Sequence, residues 1–253
     1  MSVGLSFDID GMGKFRDNSE EDVFLEQGIP RIVEFLEKKD AEATFFVVGN
    51  NVKEHKNVHK LLKKYEIGNH SLSHPYFLGL KSFGEQKKEI LEADKILQEF
   101  YGKKIIGFRS PDYSISQSMI KILKENNYRY DSSLIKVVYP THYLKNYIKN
   151  RELKNDKFEI KPTSFILPFN GTTNIASNFT VMKGLFKFLK SVNKDIILVF
   201  HDRDFVNKDM GFKKFHMSKK LFGNRKRAYE KTTRFLDWIT KDNDVLPLKY
   251  LLQ

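Results

Sequence analysis

The chain contains no cysteine, which excludes disulfides, zinc thiolate sites, iron–sulfur clusters and thiol nucleophiles together. No apolar run approaches the roughly 18 residues needed to span a bilayer. There is one Trp and there are only 7 Pro. No linker, repeat or low-complexity tract divides the 253 residues, so a single domain over 1–253 is expected, a size at which one α/β barrel is common. Disorder throughout is excluded by 22 Phe and 11 Tyr.

Acidic charge is also short: Asp+Glu number 32 against 44 Lys+Arg, a net charge of +12. The excess is uneven. Ten Lys/Arg and two acidic residues between Lys208 and Arg234 leave a net +8 there. Such a stretch is either a solvated loop and helix face or a contact for an anionic partner. The chain opens directly into Val3-Gly4-Leu5-Ser6-Phe7-Asp8, with no basic start and apolar run before it, so a cytoplasmic protein is expected.

What is present is an alternation of short β-rich runs with helical patterns. Strands are expected at Val3–Asp8, Ala43–Val48, Tyr65–Asn69, Lys104–Arg109, Tyr128–Asp131, Ser164–Phe169, Asp195–His201 and Asp244–Lys249. Helices are expected at Arg31–Lys39 behind Pro30, after the capping-box pattern Ser82-Phe83-Gly84-Glu85 as far as Gly102, at Gln117–Asn126 behind Ser116, at Val181–Lys190 and at Lys220–Thr240. Residues 132–163 read as an irregular insertion with one short helix near Leu144–Leu153. Seven or eight β–α–β units imply a mostly parallel sheet curled into a barrel, complete or incomplete. Its chemistry then belongs at the C-terminal ends of the strands.

Titratable residues gather at those ends: Asp8 and Asp10 after the first strand, His70 and His74 after the third, Arg109 after the fourth, Asp131 after the fifth and His201 after the last long apolar strand. Each alone would be ordinary. Asp8 and Asp10 are two apart and project to one side of a strand, where they repel unless a cation sits beside them. His70 and His74 are four apart, so a tight turn lets both imidazoles reach one point. One carboxylate and two imidazoles suit zinc or another divalent ion, with a position left for water.

These segments resemble the polysaccharide deacetylases of carbohydrate esterase family 4, the NodB homology domain. Phe7-Asp8-Ile9-Asp10-Gly11 is similar to the family's first motif, and Thr44-Phe45-Phe46-Val47-Val48-Gly49 to the strand after the first helix. Ile67-Gly68-Asn69-His70-Ser71-Leu72-Ser73-His74-Pro75 is a close match to the second motif. Gly107-Phe108-Arg109-Ser110-Pro111 resembles the third, and Leu198-Val199-Phe200-His201 the last. The resemblance implies a distorted (β/α)7–8 barrel with its groove at the C-terminal strand ends. It implies one divalent metal ion, usually Zn2+, held by Asp10, His70 and His74. Asp8 would be the general base, Arg109 its orienting partner and His201 the general acid. The Tyr113 backbone N–H would bind the oxyanion, and Asp131 would tune His201. Two departures stand out: Ile9 separates aspartates that are usually adjacent, and the aromatic usual in the fourth motif is missing near Asp131. Asp112 and Asp202 add carboxylates without an assigned role.

The activity so implied is metal-assisted hydrolysis of an N-acetyl or N-formyl group on a sugar. Without an export signal, an internal glycan precursor carried on a nucleotide or lipid phosphate is the expected substrate. Lys213, Lys214, Lys219, Lys220, Arg225, Lys226 and Arg227 are the candidate contacts for that phosphate or for an anionic membrane surface. Rival readings are a cyclic-amide hydrolase of the allantoinase-like branch and a non-catalytic glycan binder. Nucleic acid is not an expected partner, since charge is its only signal.

Overall fold

A computed structural model describes residues 2–12, 22–135, 148, 150, 153, 157, 158, 160–162, 179–192, 195–207 and 225–252. Among these residues the strands are β1 (Val3–Ile9), β2 (Thr44–Val47), β3 (Glu66–Asn69), β4 (Gly107–Phe108), β5 (Tyr130–Asp131), β6 (Ile196–His201) and β7 (Val245–Leu246). Every pairing is parallel. The order is β5-β4-β3-β2-β1-β6, with β7 also on β1. On one edge of β1, Val3 to Asp8 face Ile196 to His201. The other edge is shared: β2 pairs with Ser6 to Ile9, and β7 with Val3 and Gly4.

Period-two alternation sorts each strand into two faces. Val3, Leu5, Phe7 and Ile9 of β1 enter one apolar cluster with Phe45 and Val47 of β2. Ile29, Ile32, Val33 and Leu36 of α1 (Ile29–Lys38) close the same cluster from outside. The opposite face is a separate interior holding Phe46, Tyr130, Ile160, Ile197 and Leu248. Tyr130 of β5 meets Phe46 of β2 edge-on at 6.4 Å, and its hydroxyl donates to Glu66 of β3 at 3.0 Å. Two strands lie between β2 and β5, so these contacts require the sheet to curl around its interior. The expected distorted parallel barrel is the observed fold.

The capping signals operate as written. In α4 (Phe83–Tyr101) Ser82 Oγ accepts the Glu85 N–H at 3.3 Å and the Glu85 carboxylate accepts the Ser82 N–H at 3.0 Å. Gly102 ends that helix at φ 66, a conformation that a side chain would strain. Ser116 Oγ likewise caps α5 (Gln117–Glu125) through the Met119 N–H at 3.3 Å. Two further helices, α6 (Phe179–Ser191) and α7 (Arg225–Asp242), cover the sheet on the C-terminal side; both were expected at nearly these positions.

Some boundaries differ. β4 is two residues where Lys104–Arg109 was expected, and β7 two where Asp244–Lys249 was expected. Two short helices, α2 (Gly49–Glu54) and α3 (Lys56–His59), were not foreseen. Gly49-Asn50-Asn51 is a weak helix former. What starts α2 is tertiary: the Gly49 and Asn50 N–H groups donate to the carbonyls of Ser71 and Leu72 at 3.0 and 2.9 Å. A π-helical turn at Phe24–Gly28 ahead of α1 was also unforeseen. Gly28 lies against the Asp202 backbone, where a Cβ would collide. The strand expected at Ser164–Phe169 and most of the short helix near Leu144–Leu153 lie outside the described residues. Among the described residues no helix is long and apolar enough to cross a membrane.

Candidate active site and metal centre

The inward face of β1 carries Ser6 and Asp8, and Asp10 follows at the strand end. Asp8 is buried, and a fully buried Arg109 holds it: Nη1 donates to Asp8 Oδ1 at 2.7 Å and to Ser6 Oγ at 3.0 Å. The rest of the guanidinium is also tied down. Nε donates to the Ser132 carbonyl at 3.1 Å, Nη2 to Ser132 Oγ at 3.0 Å, and the Phe46 ring lies 4.1 Å from the central carbon. A buried carboxylate is stable as an anion only with such partners. The second oxygen, Oδ2, faces His201 Nε2 at 3.8 Å.

Asp10 divides its oxygens differently. Oδ2 accepts from Arg203 Nη1 at 2.8 Å. Oδ1 is buried without a hydrogen bond, yet His70 Nε2 stands 3.3 Å away and His74 Nε2 3.5 Å away. His70 Nδ1 is 2.7 Å from the Arg109 carbonyl, which only accepts, so Nδ1 carries a hydrogen. When His70 is neutral, its Nε2 lone pair points at a carboxylate oxygen, and a cation between them satisfies both. One ligand atom from each of Asp10, His70 and His74 lies within 4.8 Å of the others. An orphaned buried oxygen facing two imidazole nitrogens, with one imidazole oriented from behind by a carbonyl, fits a divalent ion.

Charges follow from these contacts. Burial alone would raise Asp10, but His74, His70, His201 and Arg203 outweigh it and hold its carboxyl well below the usual range. Burial disfavours a charged His70, yet Asp8 and Asp10 outweigh that and raise it. Burial lowers His74.

The imidazole-bearing loop is set from outside the rim. Asn69 Oδ1 accepts the Ser71 N–H at 2.8 Å, while Nδ2 donates to the Ile90 carbonyl at 2.9 Å and to Tyr128 Oη at 2.7 Å. Glu89 of α4 accepts the N–H groups of Leu72 and Ser73 at 3.0 and 2.9 Å. Ser71 and His74 adopt φ of 69° and 54°, the left-handed region that costs a residue with a side chain energy. Such strain persists only where the surroundings over-determine it.

Asp8, Asp10, His70, His74, Arg109 and His201 thus meet at one rim. Two other candidates do not join them as expected. The Tyr113 N–H donates to the Ser110 carbonyl at 3.0 Å, so it is occupied within its own turn rather than aimed at an acyl oxygen. Asp131 spends its carboxylate on Ser133, accepting from Oγ at 2.6 Å and from N–H at 3.2 Å. The carboxylate beside His201 Nδ1 is Asp204, at 3.7 Å. Lys213, Lys214, Lys219 and Lys220 lie outside the described residues; Arg225 opens α7, and Lys226 and Arg227 follow it, exposed. Sequence reasoning missed Ser6, Ser132, Arg203 and Asp204. Ser132 and Asp204 flank motif residues, a proximity that could have flagged them, but nothing local marks Ser6. Asp202, left without a role, is buried and accepts the Gly11 N–H at 2.6 Å, so it shapes the turn after Asp10.

Known proteins resemble this chain. Over 102 residues, 40% of this chain and 47% of the other, the sequence is 30% identical to a peptidoglycan-N-acetylglucosamine deacetylase of Bacillus cereus. The chain spans half or less of the length of the curated relatives it matches. Among solved structures, a protein of Mycobacterium smegmatis assigned to the polysaccharide deacetylases superposes with a TM-score of 0.69 at 16% identity, covering 99% of this chain and 88% of that one. A pseudoenzyme of carbohydrate esterase family 4 from Bacillus anthracis superposes with a TM-score of 0.56 at 17% identity, covering 100% of this chain and 65% of that one. At these identities the likeness is one of fold, which active and inactive proteins share. The family model for polysaccharide deacetylase matches residues 2–130, the stretch that supplies both aspartates, both imidazoles and Arg109, and the chain belongs to that family.

Proposed function

We propose that the chain is a divalent-metal-dependent N-deacetylase of sugars, a single catalytic unit over 1–253. Asp10, His70 and His74 would be the ligands, Asp8 the general base and His201 the general acid. The observation that carries this reading is Asp10 Oδ1, buried without a hydrogen bond before two imidazole Nε2 atoms. When bound, a divalent ion, with Zn2+ the first choice for two imidazoles and a carboxylate, supplies a Lewis acid for the acyl oxygen and acidifies water.

The chain's own groups do the rest. Asp8, fixed in orientation by Arg109, takes a proton from the attacking water as its oxygen bonds the acyl carbon. His201 lies across from it and protonates the nitrogen as the C–N bond breaks and the electron pair leaves with the amine. The products are a carboxylic acid and a free amino sugar. The Asp8–Arg109 pair is nearly water-free, so its geometry is set before substrate arrives.

The substrate class follows from the family: an N-acetylated glycan. A phosphate-linked precursor is the finer reading, and its support is the basic run of the sequence alone. The test is metal analysis joined to an acetate-release screen over N-acetylglucosamine oligomers, nucleotide-linked N-acetyl sugars and cyclic ureides, with and without zinc or cobalt. Metal-dependent release from a sugar, lost in Asp8→Asn, is expected. Turnover of ureides alone would move the protein to the cyclic-amide branch, and failure to bind any divalent ion at micromolar concentration would overturn the mechanism.

A further inference from the structure

One cation at the rim has no task in the mechanism. Arg203 lies two residues past His201, in the tight turn Asp202–Phe205. Its Nη1 donates to Asp10 Oδ2 at 2.8 Å. The other oxygen, Oδ1, is the one that faces His70 Nε2 at 3.3 Å and His74 Nε2 at 3.5 Å. The two oxygens of one carboxylate are thus divided between a guanidinium and a pair of imidazoles. The turn that carries Arg203 is itself held by distant segments. Arg31 of α1 donates to the Phe205 carbonyl at 2.9 Å, and Gly28 packs against the Asp202 backbone. Asp202 accepts the Arg203 N–H at 2.7 Å through Oδ1 and the Gly11 N–H at 2.6 Å through Oδ2, which ties the turn after β6 to the chain leaving β1.

We propose that Arg203 is a positioning residue for the metal-binding carboxylate: it occupies Asp10 Oδ2 and leaves Oδ1 alone for the ion. This rests on the metal site of the deacetylase reading. A carboxylate can bind a divalent ion through one oxygen or through both, and both would fill a position that water or the acyl oxygen needs. A guanidinium on Oδ2 prevents that, as hydrogen bonds behind a ligand commonly fix how the ligand is presented. Arg suits the task, because its charge persists at any working pH and its donors lie in a rigid plane. The same charge works against the ion, since a guanidinium bonded to Asp10 repels a dication held by the same carboxylate. Arg203 therefore lowers affinity while it keeps a position open, and its removal should raise affinity while it lowers turnover. That pair of opposite changes separates positioning from a merely structural role, because loosened packing would weaken metal binding and turnover together.

The test compares Arg203→Met, which removes the charge and the donor, with Arg203→Lys, which keeps a charge and one donor on a stem of similar reach. Zinc affinity is read by chelator competition and turnover on chitotetraose. Coordination is read from the visible spectrum of the cobalt-loaded protein, whose bands weaken as ligands are added. For Arg203→Met the expected result is zinc binding about 10-fold tighter, weaker cobalt bands and a kcat lower by about 10- to 100-fold. Arg203→Lys should restore most of the parent behaviour in all three. Weaker zinc binding in Arg203→Met, or unchanged cobalt bands, would overturn the assignment. A parent protein that binds no divalent ion overturns the metal site, and this assignment with it. A parent that binds zinc but releases no acetate overturns the deacetylase reading alone, and affinity and spectrum still decide the role of Arg203. If Arg203→Met does not fold, a crystal structure of the zinc-loaded parent decides: Asp10 on zinc through Oδ1 only, with Oδ2 on Arg203, supports the role, and both oxygens on zinc refute it.

Discussion

The two faces of β1 are equally dry and chemically opposite. Val3, Leu5, Phe7 and Ile9 point outward into the helix layer, and Ser6 and Asp8 point inward; all are buried. Burial therefore does not separate structure from chemistry here. What separates them is parity along the strand: the outward set joins the apolar cluster, while the inward set meets Arg109, whose guanidinium is held by Ser6, Asp8 and Ser132. The lesson is that one strand can serve as core and as active-site wall without compromise, because successive side chains never share surroundings.

Adjacent substitutions break this comparison most sharply. Asp8→Asn should lower deacetylation by about 1000-fold or more, the upper range for a general base, with zinc affinity retained. Phe7→Ala, one residue away, should cost about 3–5 kcal/mol of stability by denaturant titration, because Phe7 packs at 5.2 Å on Phe45 and 5.9 Å on Phe200. Its kcat per folded molecule should stay at the parent value. If Phe7→Ala lost turnover beyond its folded fraction, the two faces would not be independent. Arg109→Met should do both kinds of damage, since it strips the buried Asp8 of its cation, with a stability loss of about 3–5 kcal/mol.

Two buried histidines sharpen the contrast at smaller cost. His70 is raised because Asp8 and Asp10 overcome burial, whereas burial and nearby His55 push His59 down to about 3. His59 Nδ1 meets only Tyr101 Oη, at 3.1 Å, and Nε2 has no hydrogen bond. Its folded pKa is depressed, so its contribution is complete above the unfolded value near 6.5 and is lost as pH falls from there toward about 3. Between pH 6.5 and 5 the parent should lose about 1.6 kcal/mol through this residue, the slope growing from about half of 1.4 kcal/mol per pH unit at the unfolded value to nearly all of it. Denaturant titrations of His59→Leu should show that slope reduced; an unchanged slope would mean that His59 titrates normally. The smallest effect is far from either face: Ser82→Ala should cost about 1 kcal/mol, read by thermal unfolding, with no change in activity.

Much of this was readable along the chain because the relevant physics is local. The two-residue spacing put Asp8 and Asp10 on one side of the first strand's end, Ser82-Phe83-Gly84-Glu85 announced α4, and the spacing of His70 and His74 foretold two imidazoles at one point. The unread parts depend on partners distant in sequence. α2 begins because the loop at Ser71 and Leu72 offers it carbonyls. Tyr113 has the right address but an N–H already taken by Ser110.

By itself, then, the amino-acid order determined which side chains stand at the strand ends and on which face, since peptide geometry alternates them without reference to the rest of the molecule. Only the tertiary structure decided which of them meet. The curl of the sheet brings Arg109 from beyond β4 back to Asp8 on β1, and the turn after β6 rather than the fifth strand end puts a carboxylate behind His201. Distance between segments is set by closure of the whole sheet, and no local pattern records it.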